Sequence, residues 1–174
     1  MTALELGCRA LVAVVLGVAA AGKLRDLEAF TETLRDFGVP ARLARPPLAV
    51  VIASLEVISV ALLVAAPVLG DALAFALLAI FTLGLARAAR SGRQVACRCF
   101  GARTAPVGAA QLVRNAVILA VIGLGFAASL ARHAALALPT QVIAIACGAL
   151  GGAAIVRWDD LAYLLISPVP VRRR

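Results

Sequence analysis

Apolar residues in this chain gather in long unbroken blocks and do not alternate at the period of a strand. Crossing about 30 Å of hydrocarbon takes about 20 helical residues. Five blocks reach that length with few charges: Leu4 to Gly22, Pro47 to Leu69, Ala72 to Ala89, Asn115 to Ala131 and Ala134 to Val156. Glu5 and Arg9 sit near the outer end of the first, Glu56 is the one charge in the second, and Arg87 in the third is close enough to the end to snorkel. Gly148, Gly151 and Gly152 in the last block read as packing positions, because small residues let helix backbones approach closely in lipid. Between the first two blocks, Leu24, Leu27, Phe30, Leu34 and Phe37 recur at steps of three and four with charged residues filling the gaps. That pattern predicts an amphipathic interfacial helix over about residues 24–37, ending at Gly38 with Pro40 beyond it. It reads either as a lid over the inner face or as a connector resting on lipid. A final apolar piece, Trp158 to Ile166, is too short to span, and Trp158 and Tyr163 are interfacial by type. The expected fold class is all-α: a polytopic membrane helical bundle of about five transmembrane helices, in one integral membrane domain covering residues 1–174.

Composition sharpens this picture. The chain is 63% apolar and 15% charged, with a mean hydropathy of +1.02, and a water-facing surface cannot be built from that. No length remains for a separate soluble catalytic domain. The net charge of +8 does not indicate nucleic acid, since the basic residues lie between apolar blocks and not on one folded face with aromatic readers. They fall in three stretches: Lys23 to Arg45, Arg87 to Arg114, and the tail after Val156. Five spans put all three on one side, so the excess of Lys and Arg in cytoplasmic loops predicts the N-terminus outside and the C-terminus inside. The competing reading is a cleaved leader, with Ala10 to Ala21 as its apolar core and Ala19-Ala20-Ala21 as its cleavage site. Its N-terminal end lacks net positive charge, because Glu5 offsets Arg9.

Chemistry is most legible at Cys97-Arg98-Cys99-Phe100-Gly101, two thiols one residue apart in a polar connection. Such a pair closes a tight, strained ring that is comparatively easy to reduce, and Arg98, with Arg93 and Arg103 nearby, favours the thiolate. The alternatives are an inert pair or half of a metal site, and no His or further Cys lies near to complete four zinc ligands; no metal is expected. Cys8 and Cys147 read as small apolar packing residues that do not bond each other. Counted from the outer ends of their spans, they differ in depth by about 14 Å, whereas a disulfide needs Cα atoms within about 7 Å. Cys147 is retained as a buried electron acceptor for the loop pair. Glu56 falls near the bilayer midplane, where it handles a proton, bonds a polar ligand such as a quinone, or stays protonated against a neighbour such as Thr82. It has no obvious cation to pair with. Arg114 and Asn115 open the fourth span, where they either order the thiol loop or cap the helix. His133, the sole histidine, reads as a solvated loop residue.

These features resemble the methylamine utilisation protein MauE family, related to DoxX-like membrane proteins. The matching residues are Gly22-Lys23 with the Phe30 to Gly38 stretch, the Glu56 span, and Cys97-Arg98-Cys99-Phe100-Gly101 followed by Arg114-Asn115, covering about residues 10–130. The resemblance implies a redox-associated inner-membrane protein that assists maturation of methylamine dehydrogenase, whose small subunit is disulfide-rich. Cys97 and Cys99 would then be the redox pair of a thiol-disulfide oxidoreductase, with Arg98, Asn115 and Cys147 in support. Its partners would be the lipid bilayer and a thioredoxin-like protein or a disulfide-containing client, with no cofactor required and a quinone as an optional acceptor. The rival class is a non-catalytic assembly or transporter-like subunit, in which Glu56 matters and the cysteines do not.

Overall fold

The computed structural model describes residues 2–90, 96–97, 105–106, 109–130 and 136–157. Among them are six helices: α1 (Ala3–Arg25), α2 (Leu27–Asp36), α3 (Pro46–Ala65), α4 (Pro67–Arg90), α5 (Ala109–Ser129) and α6 (Leu138–Val156). A two-residue antiparallel ladder between α4 and α5 joins β1 (Ala96–Cys97) to β2 (Ala105–Pro106), with Cys97 opposite Ala105. All the helices but α2 are long and apolar enough to cross a membrane, so the expected five-span, all-helical fold is the observed one. Arg98, Cys99, His133, Trp158 and Tyr163 lie outside the described residues.

Helix ends follow local chemistry. Thr2 caps α1 and forms a capping box with Glu5, each side chain bonding the other's backbone N–H. Asp26 both stops α1 and starts α2, its carboxylate accepting from the Ala29 N–H at 2.9 Å. Gly38, at φ +88°, ends α2 in the left-handed conformation that glycine adopts without a Cβ clash. The break between α3 and α4 corrects the expected one at Leu69–Ala72. It falls at Ala66, because Pro67 is well suited to a first helical position and disfavours helix at the residue before it. Gly70 therefore lies inside α4, against the α3 backbone; a Cβ there would overlap the Leu63 backbone, and Ser59 Oγ donates to its carbonyl at 3.3 Å.

α1 is the hub. It packs on α3, α5 and, most extensively, α6, and leader-like Ala19 and Ala20 are both buried in it. Val12, Val15, Leu16, Leu63, Leu78 and Ile118 form the core of the bundle. The α1–α6 seam is glycine-lined as expected: a Cβ on Gly148 would overlap the Gly7 carbonyl, and one on Gly152 would stand 2.8 Å from the Leu11 carbonyl. Outward faces stay apolar, with Val64, Ile80, Leu138 and Leu150 largely exposed, as lipid requires and water does not permit.

Candidate functional site: an ion pair beneath the amphipathic helix

Helical periodicity gives α1 one buried stripe, running through Glu5, Cys8, Val12, Leu16, Ala19 and Lys23. The corresponding stripe of α3 is Ala49, Ala53, Glu56, Ser59 and Leu63. Where these stripes face each other, Lys23 Nζ donates to both carboxylate oxygens of Glu56, at 2.7 and 2.9 Å. The two residues are 4% and 7% exposed. This overturns the expectation that Glu56 has no cation to pair with. Thr82 is not its partner either: its hydroxyl donates to the Leu78 carbonyl at 2.6 Å and accepts from Asn115 Nδ2 at 3.2 Å.

Two aromatic rings complete the surroundings of the ammonium. Lys23 Nζ lies 5.2 Å from the centre of the Phe30 ring and 5.7 Å from that of Phe81, within cation–π range. Phe30 comes from α2, which places the amphipathic helix over the pair. Phe30 and Leu34 are buried against Ala44, Ala49 and Phe81, so the apolar face of α2 rests on α3 and α4 and not on lipid. Phe37 adds an edge-on contact to Phe81, with ring centres 5.1 Å apart. α2 therefore covers the Lys23–Glu56 pair and does not lie with Phe30 and Leu34 on lipid.

Below α2, a cavity of about 30 Å³ touches Lys23, Glu56, Asn115, Leu16 and Leu78, room for a water molecule or two. A paired ammonium and carboxylate in such a place can pass a proton between them, or to an adjoining water, without burying a net charge. Asn115 and Arg114 do not open the helix, which corrects their reading as its cap. α5 begins at Ala109, and both residues are 1% exposed on its buried stripe with Gln111 and Ile118.

The other end of the α1 stripe holds a second charged cluster, which sequence reasoning missed. Arg9 bonds Glu5 one turn back and reaches Asp71 of α4 at 3.3 Å. Its signal was present, since Glu5, Arg9 and Lys23 all share the α1 stripe that carries Val12 and Leu16. Asp71 was obscured by placing the α3–α4 turn too late. Of the loop thiols, Cys97 is described through its backbone, on β1, and Cys99 lies outside the described residues. Cys8 is buried and Cys147 exposed, both as free thiols. The structure sets Cys147 beside the N-terminal half of α1, whereas the Cys97 segment follows the end of α4 on the Lys23 side. Among the described residues, no group of three His, Cys, Asp or Glu side chains is arranged to hold a metal.

Comparison with known proteins gives one result. No curated protein and no solved structure matches the chain. The family model for methylamine utilisation protein MauE matches residues 1–128, a stretch that takes in α1 to α4, the Cys97 ladder and nearly all of α5. With that match over most of its length, the chain belongs to the MauE family, as a multi-pass membrane protein.

Proposed function

We propose that the protein is a thiol–disulfide membrane protein that assists disulfide formation in a partner such as methylamine dehydrogenase. The observation that carries this reading is the Cys97-Arg98-Cys99 element, within the stretch matched by a methylamine-utilisation family. The ladder that pairs Cys97 with Ala105 supports it, because it ties the backbone beside the first thiol to the connection between two spans. In each cycle a Cys97–Cys99 disulfide accepts two electrons from a client dithiol, whose two sulfurs join as their protons depart. The reduced pair then returns the electrons to a thioredoxin-like disulfide or a quinone. Lys23 and Glu56, on the same side of the bundle as the end of α4, relay a proton during that exchange.

The distribution of Lys and Arg supports an N-terminus outside and the Cys97 connection at the cytoplasmic face, where direct exchange needs a client dithiol on that same side; an exported client needs the connection outside. The burial of Lys23 and Glu56 favours one second reading, a non-catalytic assembly or transporter-like subunit centred on that pair. Replacing Cys97 and Cys99 by Ser decides between them. The redox reading expects loss of client maturation with normal protein levels; unimpaired complementation leaves the second reading. Thiol labelling of intact cells with a membrane-impermeant reagent, on a variant retaining only Cys97 and Cys99, tests the side. Labelling from outside would reverse the orientation.

A further inference from the structure

The function proposed above leaves Cys8 and Cys147 unused, and the structure sets them in one place. Both line a groove of about 330 Å³ between α1, α5 and α6, walled by Leu4, Leu11, Val121 and Ile143. The depth argument that kept them apart assumes that α1 and α6 begin at the same level, and they do not. Gly7 meets Ala144 and Gly148, and Leu11 meets Gly151 and Gly152, so the helices run parallel with α6 set back by more than a turn. Cys8 follows Gly7, and Cys147 precedes Gly148. At 3.6 residues per turn, one step forward on one helix and one step back on its parallel neighbour reach the same flank of the seam.

No side chain separates the backbones at that level, since a Cβ on Gly148 would strike the Gly7 carbonyl. Gly125 of α5 makes the matching space for Cys8; a Cβ there would come 2.9 Å from Cys8 Cβ. A bond between Cys8 and Cys147 needs Cα atoms within about 7 Å, and the seam removes the difference in depth that stood against it.

The surroundings select the reactant. Leu4 is 49% and Ile143 62% exposed, and Cys147 is exposed beside them; on spanning helices that exposure is to lipid. A water-soluble disulfide cannot reach this groove, whereas an oxidant dissolved in the bilayer can, and the hydroxyl of Thr140 on the same wall is a donor for a carbonyl. We propose that Cys8 and Cys147 form an intramembrane dithiol that reduces a lipid-soluble quinone. The two sulfurs join in one S–S bond between α1 and α6, and their two protons and two electrons leave as quinol. This step is independent of Cys97 and Cys99.

The test uses the full-length chain carrying Cys97→Ser and Cys99→Ser, in phosphatidylcholine nanodiscs, with decylubiquinone as the probe. The expected result is one quinol formed per chain, loss of the mass of two hydrogens, and disappearance of both maleimide-reactive thiols, reversed by dithiothreitol. Cys8→Ser or Cys147→Ser alone abolishes quinol formation. Thiols that stay fully reactive after excess quinone overturn the proposal, as does a mass gain equal to one quinone, which marks an adduct in place of a disulfide. Two further measurements guard against misfolded variants. Diamide, a small thiol oxidant, closes the same bond if the pair is in register, and failure to close it refutes the pairing. Val121→Trp, which fills the groove, slows quinone reduction and leaves closure by diamide intact; an unchanged rate with quinone rules the groove out as its site.

Discussion

The two ends of α1 hold buried ion pairs built from the same chemistry and set in different surroundings. At the N-terminal end, Arg9 is gripped by Glu5 on its own helix and by Asp71 of α4, while Glu5 is also committed to the Thr2 cap. Glu5 steadies the start of α1 and Asp71 ties that end to α4 through Arg9, which is the work of a clamp. At the other end, Lys23 and Glu56 bond across α1 and α3 beneath two aromatic rings and beside a small cavity. That pair is roofed by α2, a short amphipathic helix that is not itself one of the spans. Burial is common to both ends; what adjoins each pair, a helix cap at one and a small cavity at the other, is the difference.

The largest expected effect comes from breaking the roofed pair. Glu56→Ala or Lys23→Ala strands a charge in the bundle and lowers stability by about 3–5 kcal/mol, read from denaturant titration in mixed micelles. The joint change Lys23→Met with Glu56→Leu removes both charges, so stability recovers most of that loss while complementation is still abolished. Retained complementation would make this pair a second clamp and erase the contrast.

Asp71→Asn tests the clamp itself. It keeps the shape and weakens a charge-assisted bond, at a cost of about 1.5–3 kcal/mol, and a clamp predicts normal function in whatever protein remains folded. An activity loss larger than the drop in folded protein would give Arg9 and Asp71 a chemical role.

Gly84→Val addresses the covering helix. A Cβ at Gly84 comes 2.9 Å from the Phe37 ring, so a branched side chain props α2 away from α4 at about 1–3 kcal/mol. Faster backbone hydrogen exchange confined to residues 27–36 is the expected signature. Uniform exchange across the bundle would mean that α2 is not a separable cover. The smallest effect is expected from Thr2→Ala, which deletes one half of the capping box for about 1 kcal/mol. Its thermal shift in detergent should be exceeded by that of Glu5→Gln, because Glu5 also holds Arg9.

Part of the site was legible: Glu56 stands out as an acid deep in a span. Lys23 and Asn115 lie on the stripes that carry the core residues of their helices, but only a periodicity carried past the apparent block ends marks them as inward-facing. The pairing of Lys23 with Glu56 was not legible. Lys23 looked like the first polar residue after a span, since reading the block to Gly22 ended α1 a turn too early. Asn115 looked like a cap for the same reason at the start of α5. Hydropathy sees where charge begins, and a helix runs on for as long as its backbone bonds and inward face allow.

Local pattern by itself determined the five spans, the amphipathic segment with its stop at Gly38, and the lipid-facing exterior, because hydrocarbon leaves the backbone few alternatives to helix. It also marked Cys97, Cys99 and Glu56 as residues out of keeping with an inert scaffold. Only the tertiary structure decided that Lys23 answers Glu56, that Arg9 reaches Asp71, that α2 covers protein in place of lipid, and that Cys8 and Cys147 share a groove. Each of these depends on which faces meet and how far one helix is displaced along another. That offset is set by glycine contacts such as Gly7 with Gly148, between residues far apart in the chain, and no local repeat encodes it.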